Sequence, residues 1–598
     1  MAPLSLRPTV LALFAATLFL PEGSSESRAA QPAFDPLLSD PAAVCARPFT
    51  GAWQRTLVRI AAAKSENAPF QTGQMQPAGG EVPLYKDLGT LSFKVSTVEP
   101  RAQAYFDQGL RLAFAFNHAE AIRAFRAAQQ IDPHCAMCYW GEALALGPNI
   151  NAPMPPEANP PALEAIGRAQ ALASRADARE RVLIEALARR YSADPKADRS
   201  ALDAAYADAM HEAARRYPRD DTVQVLFAEA AMDTQPWDYW EAGGTRPKGR
   251  AADLIAALET VLKRNPGHPG AIHLYIHAVE ASTTPERALA PARRLAALMP
   301  GAGHIVHMPA HIYYRTGLFR DSLEANKKAI AVDERYFQTS PSDPLYRTGY
   351  YPHNIHFVLV SAQMGGDATT ALEAAAKLDG VMPAEVVRQF PSLEAIKGAP
   401  YTTHALFSEP ATILALPRPA EGLTLVTAMY HYARAVAFAA NKDLPAARAE
   451  LDALTRIEAN ADFQPYAAWQ VPAREIVQTA RLVASGRVAD AEGDLDAAAK
   501  DYEAAVAIED ALSYMEPPYW YYPVRQSLGA VKLRQGRFDE AEKAFRDSLG
   551  KVRNNGWALA GLAEVYRQQR KPAAQAEAQK AFSRAWFGPA GGPALERL

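Results

Sequence analysis

The sequence predicts an all-α protein, a right-handed α-solenoid of antiparallel helix pairs interrupted by loop insertions. Three observations point there. The chain has 598 residues, well past the roughly 250 to 300 at which a single hydrophobic core stops growing, so several domains or a repeat array are required. Its 49% hydrophobic and 22% charged residues fall into long Ala-rich amphipathic runs with few alternating β-branched stretches, the texture of helices. Finally, His273 and His277 return 34 residues later as His307 and His311, and self-similarity at such a fixed spacing marks stacked helical units.

At the N-terminus, Arg7, the apolar run Val10 to Leu20, Pro21 and a small polar stretch ending in Ser27-Arg28-Ala29 have the form of a secretory signal. Residues 1–29 are therefore expected to be removed and the mature protein to be exported, to the periplasm, in soluble form. The eleven apolar residues are too few to cross a bilayer, and no later run approaches ~18, so no membrane span is expected. Residues 30–96 carry no repeat and are expected to cap the array, with Leu88 to Ser96 extended. The formal charge is -3 and is unchanged by loss of the signal. Without a concentrated basic surface, nucleic acid is excluded as a partner.

The repeats begin next. Tyr105, Gly109, Leu112, Ala121, Phe125, Ala128 and Pro133 set small residues where two helices approach, an aromatic to fill the adjacent hole, and a proline to close the second helix. Further units are read at Ala288 to Pro300, at Ala310 to Asp333 with Gly317 in the turn, and at Gly366 with Ala371. Downstream they recur at Ala498 with Tyr502, at Gly529, Gly536, Ala541 and Phe545, and at Leu562 with Tyr566. The segments Pro148–Pro161, Thr234–Lys248, Tyr336–Pro352 and Pro383–Pro419 break the period and read as insertions. The third is expected to lid the histidines. The resulting organisation is a first array over 97–382, an irregular insertion over 383–419 and a second array over 420–598.

This pattern, with Gln108 where leucine is usual, resembles the tetratricopeptide repeat superfamily. The pieces Phe116-Asn117-His118, Cys138-Tyr139-Trp140-Gly141, Gly147-Pro148-Asn149-Ile150-Asn151, His307 to Tyr313 and Glu516-Pro517-Pro518 resemble more narrowly a group of exported bacterial repeat proteins without a known activity. The resemblance implies that the first helix of each unit lines a concave groove, with positions 2, 5, 9 and 12 facing inward. With Ile276 at position 8, His273 stands at 5, His277 at 9 and Glu280 at 12. With Ala310 at position 8, His304, His307, His311 and Tyr314 take 2, 5, 9 and 12. With Gly366 at position 15, His353 and His356 take 2 and 5.

Independently of any family, offsets of three and four place these rings in one stripe along a helix. Eight of the 13 histidines lie in the 89 residues from His268 to His356, where an even spread gives about two. Imidazoles on neighbouring helices ~8 to 10 Å apart can converge on one ion. The expected metal ligands are His273, His277, His304, His307, His311, His353 and His356, with Glu280 as an oxygen ligand or outer support. The cofactor is a divalent or monovalent transition metal, zinc or copper suiting imidazole best.

Cys135 and Cys138 form a CxxC followed by Tyr139, which disfavours haem attachment. Two readings stay open, a local disulfide and a secondary metal pair near His118 and His134. The three cysteines of the chain do not make a disulfide framework. The function that follows is a binding protein or scaffold taking a protein, peptide or small molecule in the groove beside a metal. One alternative is a metal-dependent enzyme drawing on Glu280, Tyr314, Arg315 and Asp233; the other is a purely structural assembly factor without metal. No HExxH, GxSxG, Walker or GxGxxG signature is present. The aromatic run Tyr519 to Tyr522 and the group Trp237, Tyr239 and Trp240 read as packing.

Overall fold

A computed structural model describes residues 82–598 apart from 242, 340–345, 470 and 513. The expected signal over 1–29, the third cysteine Cys45 and most of the cap over 30–96 lie outside the described residues. Among those described there are helices and no strands, only two isolated bridges.

The helices stack as antiparallel pairs. The first array pairs α1 (Pro100–Phe114) with α2 (His118–Ile131), α3 (Ala136–Leu146) with α4 (Asn159–Ala171), and α5 (Ala178–Ala188) with α6 (Arg199–Arg216). It continues with α7 (Asp221–Asp233) and α8 (Ala251–Arg264), then α9 (Pro269–Val279) and α10 (Leu289–Leu298). Next come α11 (Gly303–His307) and α12 (Pro309–Arg315) together against α13 (Phe319–Thr339), and α14 (Tyr351–Gly365) against α15 (Ala368–Val381). Short helices fill 384–414. Four more pairs follow: α16 (Thr424–Ala440) with α17 (Leu444–Asn460), α18 (Ala473–Glu492) with α19 (Leu495–Ala511), α20 (Arg525–Arg534) with α21 (Phe538–Lys551), and α22 (Gly556–Gln568) with α23 (Pro572–Ala585).

The small-residue and aromatic positions explain the stacking. Phe125 on α2 wedges between Gly109 on its own partner and Gly141 on the next unit. A Cβ at either glycine would stand 2.7 or 2.3 Å from the ring, closer than real contacts permit. Phe545 repeats the arrangement between Gly529 and Gly561, at 2.8 and 2.2 Å. Each wedge ties one pair to the next, which is how a solenoid propagates.

The groove, however, is closed. Phe114, at the end of α1, packs on Gly270 and His268 of α9, four units further on. From the other side the C-terminal pairs return to the middle of the first array. Trp557 Nε1 donates to the Gln363 carbonyl at 2.9 Å, the Phe587 amide to that of Gly365 at 2.9 Å, and Asn554 Nδ2 to that of Gly317 at 3.4 Å. In consequence every residue of α9 and of α14 is buried, the signature of a helix enclosed on all sides and not of one lining an open channel.

The insertions pack as walls. Trp237 and Trp240 donate their indole N–H groups to the carbonyls of Ile150 and Ala278, both at 2.8 Å. In the described part of the Tyr336–Pro352 insertion, Tyr346 donates to Asp333 at 3.0 Å and accepts from the His304 amide at 3.1 Å. It stands beside the histidines, and Glu516 reaches His311 from a later segment of the chain, at 2.7 Å.

Away from that centre, Arg190 is buried between two carboxylates, 2.7 Å from Asp233 and 3.2 Å from Asp203. Asp233, a candidate acid–base group in the sequence, is therefore engaged in an ion pair. Replacing Arg190 by Met strands Asp233 in an apolar interior and leaves Asp203 to Arg199 alone, 3.2 Å away, and is expected to cost about 3 to 5 kcal/mol of stability in chemical denaturation. A loss under ~1 kcal/mol would show that water reaches the pair.

Candidate metal centre

His268 caps α9, its Nδ1 accepting from the Ala271 amide at 3.1 Å, and Pro269 occupies the first helical position. That start puts His273 and His277 on one face. The next unit is broken at Pro309, which has no N–H to continue the ladder. The sequence pairs His307 and His311 on one helix; the structure divides them between α11 and α12, yet keeps their Nε2 atoms 2.8 Å apart. Gly303 opens α11 where a Cβ would collide with the Asp333 carboxylate at 1.7 Å.

The rings gather into two triads. In the first, His273 Nε2 lies 3.1 Å from His277 Nε2 and 3.1 Å from His304 Nε2. The second joins His307 and His311 to His353 of α14, one nitrogen of each lying within 4.8 Å of the others. An ion about 2.0 to 2.1 Å from three nitrogens separates them by about 3.3 to 3.6 Å, so small ring rotations suffice to seat one. The triads adjoin, with ring centroids 5.6 Å apart for His277 and His311 and 5.9 Å for His304 and His307.

The far side of four rings is pinned by acceptors. His273 Nδ1 meets the Phe114 carbonyl at 2.6 Å, and His277 Nδ1 meets Glu280 at 3.0 Å. His307 Nδ1 meets the Asn326 oxygen at 2.6 Å, the amide being oriented by its own donation to the Ser322 carbonyl at 2.8 Å. His311 Nδ1 meets Glu280 at 2.5 Å and Glu516 at 2.7 Å. Opposite the Phe114 carbonyl and the Asn326 oxygen, Nδ1 of His273 and of His307 must carry the proton, and Glu280 in its ionised form places it likewise on His277 and His311, which leaves Nε2 a bare lone pair. Bare Nε2 atoms then face each other at 3.1 Å in one triad and 2.8 Å in the other. Protonating one of them is opposed by burial, which holds His273 down to about 3 and puts His277, His304, His307 and His353 well below the usual imidazole range. Neutral rings with converging lone pairs and outer N–H groups held by carbonyl or carboxylate are the donor set a transition metal takes.

Apolar rings close each triad. Phe116 lies 4.4, 5.9 and 5.5 Å from His273, His277 and His304; Phe357 lies 5.0, 5.1 and 5.0 Å from His307, His311 and His353. Trp237 meets His277 edge-on at 4.7 Å, and Tyr350 approaches His304 at 4.7 Å. Phe116 and Trp237 both adopt positive φ, 56° and 66°, a costly conformation for aromatic residues that the surrounding packing must enforce.

Glu280 is the hinge of the electrostatics, one carboxylate oxygen on a ring of each triad. It also shares a hydrogen bond with Glu516, and burial pushes both carboxyls up to about 8. Arg315 donates to the Glu280 carbonyl at 2.9 Å. A third grouping, Glu280, His311 and Glu516, offers a single-ion alternative, but it would leave the contact between His307 and His311 unexplained.

The structure thus brings together six of the seven expected histidines and Glu280. It leaves out His356, which is buried, keeps Nδ1 without a partner and faces a separate small cavity. Instead of lining an open concave surface, the six are enclosed, because the solenoid closes on itself. The expected site residues do not include Glu516, Asn326, Phe116 or Phe357. For Glu516 the available signal was its position in an aromatic, proline-rich break of the period. Cys135 and Cys138 are joined in a disulfide with Cα atoms 5.4 Å apart, leaving no thiolate there for a metal.

Fold and site together define a helical-repeat protein enclosing a histidine cluster. No family profile and no curated protein matches the chain. Among solved structures it is similar to a human IFIT1 dimer with m7Gppp-AAAA, at 14% identity over 80% of this chain and 95% of that one, TM-score 0.30. It is also similar to yeast Tom70, at 12% identity over 81% and 91% with TM-score 0.27, and to Ypp1, at 8% over 83% and 66% with TM-score 0.32. These are tetratricopeptide-like helical solenoids. The solenoid class stands on the pairing of this chain's own helices.

Proposed function

We propose that this chain is an exported helical-repeat metalloprotein whose two histidine triads each hold one transition-metal ion, copper or zinc. The observation that carries the reading is the pair of Nε2–Nε2 contacts between rings whose protons are committed to the far side. A cation between them turns lone-pair repulsion into coordination, and the surrounding aromatic rings would keep it dry. Export, and membership of the exported bacterial repeat proteins, rest on the sequence features of residues 1–29 and on the shared pieces such as His307 to Tyr313.

The test is elemental analysis. Full-length protein purified without chelators, from cells supplied with copper and zinc, is expected to carry about two ions per chain, and stripping them is expected to lower the melting temperature because the ions bind only the folded state. Protein that is folded and monodisperse yet carries no metal under both supplies would refute the proposal.

A further inference from the structure

The two triads differ in what lies beside them. A cavity of about 240 Å³ is walled by Trp240, Tyr314, Arg315, Tyr514, Trp520 and, at its inner end, Glu516. A smaller cavity meets the other side of Glu516 and is lined by His353 and His356. Neither is lined by a histidine of the first triad, over which Phe116 lies. One side chain, Glu516, therefore stands between the larger cavity and His311 of the second triad.

Resting on the metal reading above, we infer that this cavity is the ligand site of the centre. Its ligand is a small aromatic carboxylate that displaces Glu516 and takes its place on His311 Nδ1, acting on the second ion through that ring, while the first ion stays sealed. The chemistry is written in what occupies the place now. Glu516 presents a carboxylate against His311, flanked by Tyr514, whose hydroxyl donates to it. A free carboxylate carried on a ring satisfies the same donors, and the tyrosine and tryptophan walls supply faces for the ring to stack on. The Trp520 indole N–H is buried without an acceptor on a side chain that lines the cavity, a donor that a polar ligand atom would satisfy. Arg315, which the cavity also exposes, adds positive charge to that of the ion, so an anion is favoured over a neutral molecule.

The full chain reloaded with two equivalents of Co(II) reads both parts, with benzoate as the probe. Benzoate is expected to quench the fluorescence of Trp240 and Trp520 saturably and to shift the absorption of one cobalt of the two. The absorption shift should survive in His273→Ala/His277→Ala and vanish in His307→Ala/His311→Ala. Thr283→Phe, which fills the cavity without touching a triad, should abolish both responses and still bind two ions. Quenching without any cobalt shift, a shift retained when the second triad is removed, or a response undiminished in Thr283→Phe would each overturn the inference and leave the metal reading intact. Failure to take up cobalt before benzoate is added would sink that reading, and this one with it.

Discussion

Replacing His307 and His311 together by Ala is expected to reduce the metal content from about two ions per chain to about one, and His273→Ala/His277→Ala is expected to remove the other ion. The reason is that each triad is complete in itself. His307 and His311 supply two of the three nitrogens of one site, and His353 alone cannot retain an ion. Apparent binding energies for closed metal sites are about 10 to 16 kcal/mol, so losing two of three ligands lowers occupancy from full to negligible. The remaining triad keeps its outer acceptors, Phe114 and Glu280 in one variant, Asn326, Glu280 and Glu516 in the other. Combining all four substitutions should leave no bound ion. Elemental analysis of the three variants, with circular dichroism to verify the helices, decides the matter. If either double variant lost both ions with its helices intact, the triads would be one site and not two; if neither lost any, the histidines would be structural.

The duplication was legible in the sequence because a solenoid converts sequence period into spatial translation. His273 and His277 at positions 5 and 9 of one unit are completed by His304 at position 2 of the next. One unit later, His307 and His311 at 5 and 9 are completed by His353 at position 2. The same register shows why His356 is left over: it opens a third set at position 5, but position 9 of that unit is Val360, so no partner faces it. Closure of the groove was not legible. It depends on contacts between residues far apart in the chain, such as Trp557 with Gln363 and Phe587 with Gly365, which no local period encodes. For the same reason Glu516, 236 positions after Glu280, could not be joined to the site from spacing alone. Asn326 was hidden differently. It lies on the second helix of its unit, and its function shows only once its oxygen is seen against His307.

Glu280→Ala is expected to loosen the first ion about 10- to 100-fold, the usual cost of losing an outer-shell acceptor, and to change the second by no more than a few-fold. The asymmetry follows from which rings have a substitute. Glu280 is the acceptor the structure gives His277 Nδ1, at 3.0 Å, so in its absence that ring can move its proton to Nε2 and withdraw the lone pair. His311 keeps Glu516 at 2.7 Å and with it the correct tautomer. Glu280→Gln should hold the first ion close to the parent's affinity, because the amide oxygen can accept from His277, while its NH2 replaces the oxygen that accepts from His311 and leaves that ring to Glu516. Glu280→Ala/Glu516→Ala should weaken both ions. Competition against a chromogenic chelator measures each step, and the Gln variant separates loss of an acceptor from loss of charge. If Gln were as damaging as Ala, Glu280 would act through its negative charge and not by orienting the imidazole. If Ala loosened both ions equally, Glu516 would not be holding His311 in place.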